Sequence, residues 1–384
     1  MYYLPLHEGE AQLEQSVKEF CCDVIRKRYD EFAKNKKFPR EVFKQMGELG
    51  FLGVMIPEKY GGAGMSMSEY VVLMECLACY GGGSIALALT AHHSLAVSHI
   101  LYAGTEKQKI TFLPKMASDE MIGAWCLTEP NAGSDAFGKG MKTVAKRTET
   151  GWLINGQKQF ITNGSIGDVY VVMAKISSPD GGSGGYGAFI VPKASEGRFI
   201  CDAETNKVGM DVSDTSTVIF ENVEVDFNAK MEGDGRASTY EVLNRGRVAI
   251  SALACGLLRS ALSESITYAK ERQAFGRNIS EYQGVSFPLA DASAELTACW
   301  AMVERSARAL DNGSLTPRMA AETKLMVTES VVSGCFSALR AFGGSGYIKD
   351  YRVTQDFLDS VLLVIGEGTS NIQRLAIARG IFSK

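Results

Sequence analysis

A glutamate between two glycines is the first candidate for chemistry. Glu367 lies in Gly366-Glu367-Gly368-Thr369-Ser370, after an apolar run over residues 357–365. Glycines on both sides remove side-chain bulk, so a ligand can approach the backbone there. Thr369 and Ser370 can cap the helix that apolar spacing predicts over residues 371–379. A carboxylate at such a junction can act as a base, although a loop acid taken alone is more often a solvated charge.

Cysteines and histidines raise the question of a metal site. Cys76 and Cys79 form a CxxC pair, but a tetrahedral zinc site needs four ligands and no second pair follows. His92, His93 and His99 lie in an apolar stretch without an acidic partner at ligand spacing. We therefore expect packed core or pocket-lining side chains and no metal. The nine cysteines are typical of reduced thiols packed as small hydrophobes.

The elements that must position these residues change type twice along the chain. Apolar residues recur at helical spacing through the first third. The resulting prediction is an all-helical N-terminal domain, residues 1–118, with helices over residues 11–29, from residue 39, and over 70–80, 85–103 and 108–116.

Alternating apolar residues follow and predict a small antiparallel, barrel-like β domain, residues 119–228. Asn155-Gly156 between two β-rich runs predicts a hairpin turn, since this dipeptide favours the tight turn that joins paired strands. Further strands are expected over residues 169–174, 187–191 and 218–225.

Helical spacing returns in residues 229–384 and predicts a C-terminal four-helix bundle, which makes the chain an α+β multidomain protein. One predicted helix, residues 318–342, is apolar nearly all round. Such a helix must be buried on most sides, so we expect a second subunit to cover part of it.

Length and composition narrow the function classes. The chain has 384 residues, of which 46% are hydrophobic and 22% charged, as in a soluble protein of two or three domains. A net charge of −4 without a basic stripe argues against a nucleic-acid partner. No uninterrupted apolar run is long enough to predict a membrane-spanning helix. The first residues resemble neither a signal nor a transit peptide, so we expect a bacterial cytoplasmic location, with the mitochondrial matrix as the alternative.

Four motifs, in order along the chain, resemble those of the acyl-CoA dehydrogenases. Thr128-Glu129-Pro130-Asn131-Ala132-Gly133-Ser134-Asp135 resembles their TEPxAGSD signature, and Glu271-Arg272-Gln273-Ala274-Phe275-Gly276 their ERxxFG element. Gly343-Gly344-Ser345-Gly346-Tyr347 resembles GGxGY, and Glu367-Gly368-Thr369-Ser370-Asn371-Ile372-Gln373-Arg374 resembles EGTSxIQR. The matches extend across nearly the whole chain, so coincidence is negligible.

The resemblance implies FAD-dependent removal of two hydrogens from an acyl-CoA thioester, which gives a trans-2-enoyl-CoA, as in fatty acid β-oxidation. The α-proton of a thioester is weakly acidic, so its removal needs a carboxylate against it and donors to the carbonyl oxygen. Glu367 matches that base. The resemblance further implies electron transfer to an electron-transferring flavoprotein and a homotetramer built as a dimer of dimers.

The other site residues carry over from the family by position. The cofactor FAD is expected to contact Cys126, Leu127, Thr128, Phe160, Ile161, Thr162, Thr369 and Ser370, and, across a subunit interface, Arg272, Phe275, Gln283, Arg340, Phe342, Gly343 and Gly344. Ser134, Asn244, Arg247 and Gly368 are expected to contact the substrate.

Several positions depart from the family pattern. Phe160 replaces a tryptophan, and Arg340 replaces a glutamine. Some members carry the catalytic glutamate at the position of Gly246, which here has no side chain. Gly366 stands where many relatives have tyrosine, and this predicts room for a branched or bulkier acyl group. The alternatives left open are an oxidase, a dehydrogenase acting on a carrier-protein-bound thioester in a biosynthetic pathway, and a non-catalytic scaffold.

Overall fold

The computed structural model describes residues 8–36, 38–177 and 183–382. The chain is helical through Ala117, forms a curled sheet between Gly123 and Asp226, and is helical again from Gly235. The predicted fold class, helical and β parts followed by a helical bundle, is confirmed.

The N-terminal part consists of short α-helices joined by π-helical segments. The helices are α1 (Glu8–Phe20), α2 (Tyr29–Asn35), α3 (Arg40–Glu48), α4 (Met67–Cys76), α5 (Gly83–Leu89), α6 (Ser98–Ala103) and α7 (Glu106–Ala117). The π-helical segments are Cys21–Ile25, Leu77–Gly81 and Thr90–Val97, so the predicted helices continue through wider turns rather than as regular α-helix. Short 3-10 turns are Arg26–Arg28, Phe51–Gly53 and Glu58–Tyr60.

The middle part is one twisted seven-stranded sheet. Its strands are β1 (Gly123–Cys126), β2 (Val144–Arg147), β3 (Gly151–Thr162), β4 (Val169–Ser177), β5 (Ser183–Pro192), β6 (Arg198–Ala203) and β7 (Thr215–Asp226). The order is β1-β4-β2-β3-β7-β6, and β5 pairs with β4. Four pairings are antiparallel, as expected, but β1 and β2 both run parallel to β4.

The hairpin predicted at Asn155-Gly156 is wrong, because both residues lie inside the continuous strand β3. The pairing with β7 shifts register between Ile154 and Gly156, and the Asn155 Oδ1 atom accepts the Asn222 N–H at 2.8 Å. A Cβ added at Gly156 would overlap Thr143. The dipeptide therefore forms an irregularity where a neighbouring segment approaches closely, a use of glycine that a local turn pattern does not distinguish.

Five helices form the C-terminal part: α8 (Gly235–Glu271), α9 (Gln283–Asp311), α10 (Pro317–Ala341), α11 (Arg352–Leu363) and α12 (Ser370–Phe382). A small hairpin, β8 (Gln273–Ala274) and β9 (Arg277–Asn278), joins α8 to α9. Short 3-10 turns are Phe227–Ala229, Ile279–Glu281 and Gly343–Tyr347. Helix α10 packs against α8, α9, α11 and α12, while Met326 and Phe336 on it are about half exposed. Its burial by a second subunit stays a prediction.

One hydrophobic core joins the N-terminal helices to the bundle, and it contains Cys76 and Cys79. Arg259 on α8 lies within it, with its Nη2 atom 2.5 Å from a Glu75 oxygen and its Nη1 atom 2.7 Å from a Glu14 oxygen. Buried charges of this kind are tolerated when they are paired. The network therefore connects α1, α4 and α8.

Two helical stretches, residues 83–103 and Gly235–Glu271, are long and apolar enough to cross a membrane by length and composition. Inside the protein, 89% and 83% of their apolar windows are buried. A core helix has the same composition, so this is weak evidence for a span. The absence of a membrane span stays a prediction.

Candidate active site

The turn that carries Glu367 connects α11 to α12 in an unusual backbone conformation. Glu367 has φ 52° and Gly368 has φ 91°, so two successive residues are left-handed. This region is costly for a residue with a side chain and is tolerated only when the surroundings hold it. On the α12 side, the Ile372 N–H donates to Thr369 Oγ1 at 3.3 Å and the Ser370 N–H donates to Val364 O at 3.0 Å.

Two fully buried side chains hold the carbonyl groups of this turn. The Gln373 amide donates to Glu367 O at 3.2 Å and to Gly368 O at 2.8 Å. The Lys324 ammonium, from α10, donates to the same Gly368 oxygen at 3.0 Å. The turn is thus fixed through its carbonyl oxygens by two different helices.

The Glu367 carboxylate is held in a pocket without a partner for one of its oxygens. Its Oε2 atom is buried and accepts no hydrogen bond from the described residues. A Cβ added at Gly246 would overlap that oxygen and would lie 3.0 Å from the side chain of Leu95. Gly246 therefore leaves the space that the carboxylate fills.

Burial is the largest influence on the Glu367 carboxyl group. It raises the pKa of Glu367 from 4.5 to about 7, because a buried site disfavours the charged form, while Lys324 and Arg247 act in the opposite direction. At neutral pH the group is close to its titration midpoint, which suits a residue that must take up a proton.

Two predicted substrate residues lie beside this pocket on α8. Arg247 is buried and donates through Nη1 to Asn244 Oδ1 at 2.9 Å. Ser134 is exposed, on a turn whose Phe137 ring lies 5.9 Å from the Tyr240 ring of α8. The turn that carries Ser134 therefore lies beside Tyr240 of α8, one helical turn before Asn244.

A second group of predicted residues lies where β1 and β3 end. Cys126 and Leu127 are buried, and the Gln159 N–H donates to Thr128 O at 2.8 Å, which brings the two strand ends together. Phe160, at φ 58°, lies beside this junction and is 61% exposed. Ile161 is buried and Thr162 half-buried next to it. An exposed aromatic face in a fixed conformation is suited to contact with a flat ring system.

Buried ionic groups support this junction. Lys158 is fully buried and donates to Leu127 O at 3.0 Å and to Glu129 Oε1 at 2.8 Å. The π-helical segment Thr90–Val97 contacts both this junction and the Glu367 pocket. Its His92 Nδ1 atom accepts the Gly123 N–H of β1 at 2.9 Å, and its Leu95 side chain lies near Gly246.

The third predicted group is remote from Glu367 in the same chain. At the far end of α8, the Tyr268 and Phe342 rings stack at 4.1 Å and Ser265 Oγ donates to Ala338 O at 2.9 Å. Arg272 lies roughly 39 Å beyond Gly246 along α8, at about 1.5 Å per residue. The exposed members of this group are Arg272, Phe275, Gln283, Arg340, Gly343 and Gly344, whereas the Phe342 side chain is buried.

The three histidines serve as buried, neutral links rather than as a cluster. His99 Nδ1 accepts the Trp125 indole N–H at 3.0 Å and its Nε2 lies 2.9 Å from Ser238 Oγ. His93 accepts the Met55 N–H and faces Leu52 O with its other nitrogen. Burial lowers the pKa of His92 to about 4 and that of His99 to about 3. Across the described ranges, no three metal-ligating side chains come together.

Lys324 was not among the site residues predicted from the sequence. A signal was present, because a lysine stands on the apolar stripe of α10 with Ala320, Val327 and Val331 at helical spacing. A charged residue on a buried stripe points to a specific partner, but the sequence does not say which.

Three family models match the chain. They are the acyl-CoA dehydrogenase N-terminal domain over residues 7–120, the middle domain over residues 124–223 and the C-terminal domain over residues 233–382.

Individual relatives agree. An "Acyl-CoA dehydrogenase" of Bacillus subtilis is 35% identical over 374 residues, 97% of each chain. A structure from work on the electron transferring flavoprotein of Acidaminococcus fermentans has a TM-score of 0.93 at 32% identity and covers both chains completely. A glutaryl-CoA dehydrogenase from Mycobacterium smegmatis in complex with FADH2 has a TM-score of 0.92 at 27% identity, covering 99% of this chain and 96% of the other.

The motifs, the three-part fold and these matches across the whole length lead to one conclusion: the chain belongs to the acyl-CoA dehydrogenase family of FAD-dependent oxidoreductases.

Proposed function

We propose that this protein converts an acyl-CoA thioester to the trans-2-enoyl-CoA, with Glu367 as the base that takes the α-proton. The observation that carries the proposal is the Glu367 carboxylate: Oε2 is buried and unpartnered, and the pKa of the group is raised to about 7 by burial. Such a carboxylate can accept a proton at neutral pH and is not already used by the fold.

The junction of β1 and β3 fits the cofactor FAD. The exposed ring of Phe160 and the backbone of residues 126–128 and 161–162 form a surface that an isoalloxazine ring would cover. When bound, FAD supplies the two-electron acceptor of the reaction. The chain's own residues bind and orient the two reactants on either side of this junction.

Backbone and side-chain groups near Glu367 can prepare the thioester. In the described part of the chain the Glu367 N–H has no acceptor, so it is free to donate to the thioester carbonyl oxygen. A donor there favours the charge that develops as the α-proton leaves. Asn244 and Arg247 would hold the chain that leads to CoA, and closing the pocket around Glu367 would exclude water.

The proposed partners follow from the same geometry. We infer that electrons pass on to an electron-transferring flavoprotein, a partner supported by the neighbour structure of that description. The exposed group at Arg272, Phe275 and Arg340 lies near the far end of α8, roughly 39 Å from Gly246, which supports contact with FAD in another subunit rather than beside Glu367 of its own chain. A homotetramer, as a dimer of dimers, would bring it to the FAD of a second subunit. Location in a bacterial cytoplasm is part of the proposal.

The central test is Glu367→Gln with Glu221→Gln as a matched control, since Glu221 is an exposed acid paired with Arg198 at 3.2 Å. Both proteins should be yellow. Straight-chain acyl-CoAs of graded length should bleach the wild type and the control anaerobically but leave the Glu367→Gln flavin oxidised. Retention of full activity by Glu367→Gln would refute the proposal. If only an acyl group bound to a carrier protein bleached the flavin, the substrate would be a carrier-protein thioester instead of an acyl-CoA.

Gly366 is the proposed determinant of acyl shape. A Cβ at this position would have its nearest neighbour, Leu362 O, at 3.6 Å, so the backbone accepts a larger residue. Gly366→Tyr should therefore fold and should lower the rate on 2-methyl-branched acyl-CoAs relative to straight ones. Unchanged relative rates would show that Gly366 does not shape the pocket.

A further inference from the structure

Lys324 is a buried lysine for which the proposed chemistry has no role. It is the one charged residue among the buried residues of α10, and its side chain is fully inaccessible. Burying an ammonium group is unfavourable unless it is compensated. Its hydrogen bond to Gly368 O, at 3.0 Å, is directed at the residue after the base.

The turn needs support at this point. Glu367 is left-handed, and the next residue is left-handed as well. Gly368 O receives two side-chain donors, Lys324 Nζ and Gln373 Nε2, and Glu367 O receives Gln373 Nε2. The ammonium therefore holds the turn from α10, independently of the helix that the turn precedes.

We propose that Lys324 is a positioning residue for Glu367, which fixes the turn through the Gly368 carbonyl and provides a positive charge near the carboxylate without contacting it. The inference rests on the proposed role of Glu367 as the base. It extends that role by assigning the conformation and the ionisation of the base to a residue outside the family motifs in this sequence.

The charged groups around Lys324 agree with this assignment. Glu367 faces it from the turn, Arg247 from α8 and Glu329 from α10 itself, while α12 contributes the neutral Gln373. Burial lowers the pKa of Lys324 to about 8; Glu367 opposes this shift and Arg247 adds to it. Between pH 7 and pH 8, the two pKa values, the charged lysine and the ionised Glu367 coexist.

The experiment compares Lys324→Met, Lys324→Gln and Lys324→Arg with Lys175→Met. Lys175 is a matched control, because it also donates to a backbone carbonyl, Met141 O at 2.8 Å, but lies in the sheet. Each holoprotein is mixed anaerobically, across a pH series, with the straight-chain acyl-CoA that reduces the wild type fastest. FAD content and the thermal midpoint are measured alongside.

Lys324→Met should retain FAD, and acyl-CoA should reduce this FAD about tenfold to about a hundredfold more slowly than in the wild type. A base that is displaced from its position removes the proton poorly. The acid limb of the pH–rate profile of Lys324→Met, where flavin reduction slows as Glu367 takes up a proton, should move up by about one pH unit. The reason is that the positive charge that favours ionised Glu367 is gone. Lys324→Arg should return the acid limb to its wild-type pH, whereas Lys324→Gln should leave it at the higher pH. Lys175→Met should match the wild type in rate and limb.

An acid limb in Lys324→Met or Lys324→Gln at the wild-type position, with a wild-type rate, would overturn the inference. If Lys324→Met does not fold, the comparison of Lys324→Gln with Lys324→Arg decides, since only arginine keeps the positive charge. A wild type that no acyl-CoA reduces would instead refute the proposed function. The two failures are therefore distinguishable.

Discussion

Replacing Glu367 by glutamine should stabilise the protein at neutral and alkaline pH, although it removes the proposed base. The Oε2 atom is buried without a partner, and burial raises the pKa of the carboxyl group from 4.5 to about 7. The ionised form is therefore less favourable in the folded protein than in the unfolded chain. Glutamine has nearly the same shape and cannot ionise, so the variant avoids this cost.

The sign of the pH dependence follows from proton uptake. Below the ordinary pKa of 4.5 the carboxyl group is protonated in both states and costs nothing. Between 4.5 and about 7 the folded protein keeps a proton that the unfolded chain has lost, so stability falls as pH rises. Above about 7 the full cost is present.

The magnitude follows from the two pKa values. One pKa unit corresponds to about 1.4 kcal/mol. The cost of ionising Glu367 in the folded protein is therefore about 3 kcal/mol near pH 8, where it is fully present, and about 1 kcal/mol near pH 5. An unfolding entropy of about 2.1 cal/mol/K per residue converts the larger figure to a rise of roughly 4 °C in the thermal midpoint.

The assay is thermal unfolding of the holoproteins with FAD in equal excess, because bound cofactor itself stabilises the fold. Wild type, Glu367→Gln and the exposed control Glu221→Gln are compared near pH 5 and near pH 8. The Glu367→Gln midpoint should exceed that of the other two mainly at the higher pH. A difference that does not change with pH would show that burial does not destabilise the ionised carboxylate.

Three further changes have distinct expected outcomes. Gly246→Ala places a Cβ against Glu367 Oε2 and should slow flavin reduction at least about tenfold with FAD retained, as measured by anaerobic mixing. Arg259→Met leaves Glu14 and Glu75 buried without their cation and should cost about 3 to 5 kcal/mol in the free energy of unfolding. Phe160→Ala removes an exposed ring and should weaken FAD binding by about 1 kcal/mol, measured by titration of the apoprotein.

Matched substitutions separate these effects from general damage. Gly9→Ala adds a Cβ in open space, Arg198→Met breaks an exposed ion pair and Phe227→Ala removes another exposed ring, directly after the sheet. Each should leave the corresponding readout within error of the wild type. Equal losses in a variant and its control would contradict the role given to the site residue.

The sequence was sufficient for the family and the fold class, because those depend on motifs and on periodicity. It was insufficient where distant segments meet. Gly156 accommodates the approach of Thr143, so a glycine that looked like a turn residue is a packing residue. The partner of Lys324 was hidden for the same reason, since its acceptor is 44 positions away in the chain.

The structure also refined the meaning of Gly246. From the sequence, this glycine showed only that an alternative position for the base has no side chain. In the structure the same position faces the Glu367 carboxylate, so side chains at positions 246 and 367 would occupy the same space. That relation depends on how α8 packs beside the turn before α12, and no local pattern contains it.

The Arg259 network has a consequence for synthesis on the ribosome. Glu75 and its cation are separated by 184 positions, and Glu14 and Arg259 by 245. At about 5 to 20 residues per second, roughly 10 to 40 s pass between translation of Glu75 and translation of Arg259. During that interval the helices that precede the sheet carry carboxylates and apolar faces whose partners do not yet exist. The first third of the nascent chain therefore cannot complete its core, and a chaperone that shields it would raise the yield of folded enzyme.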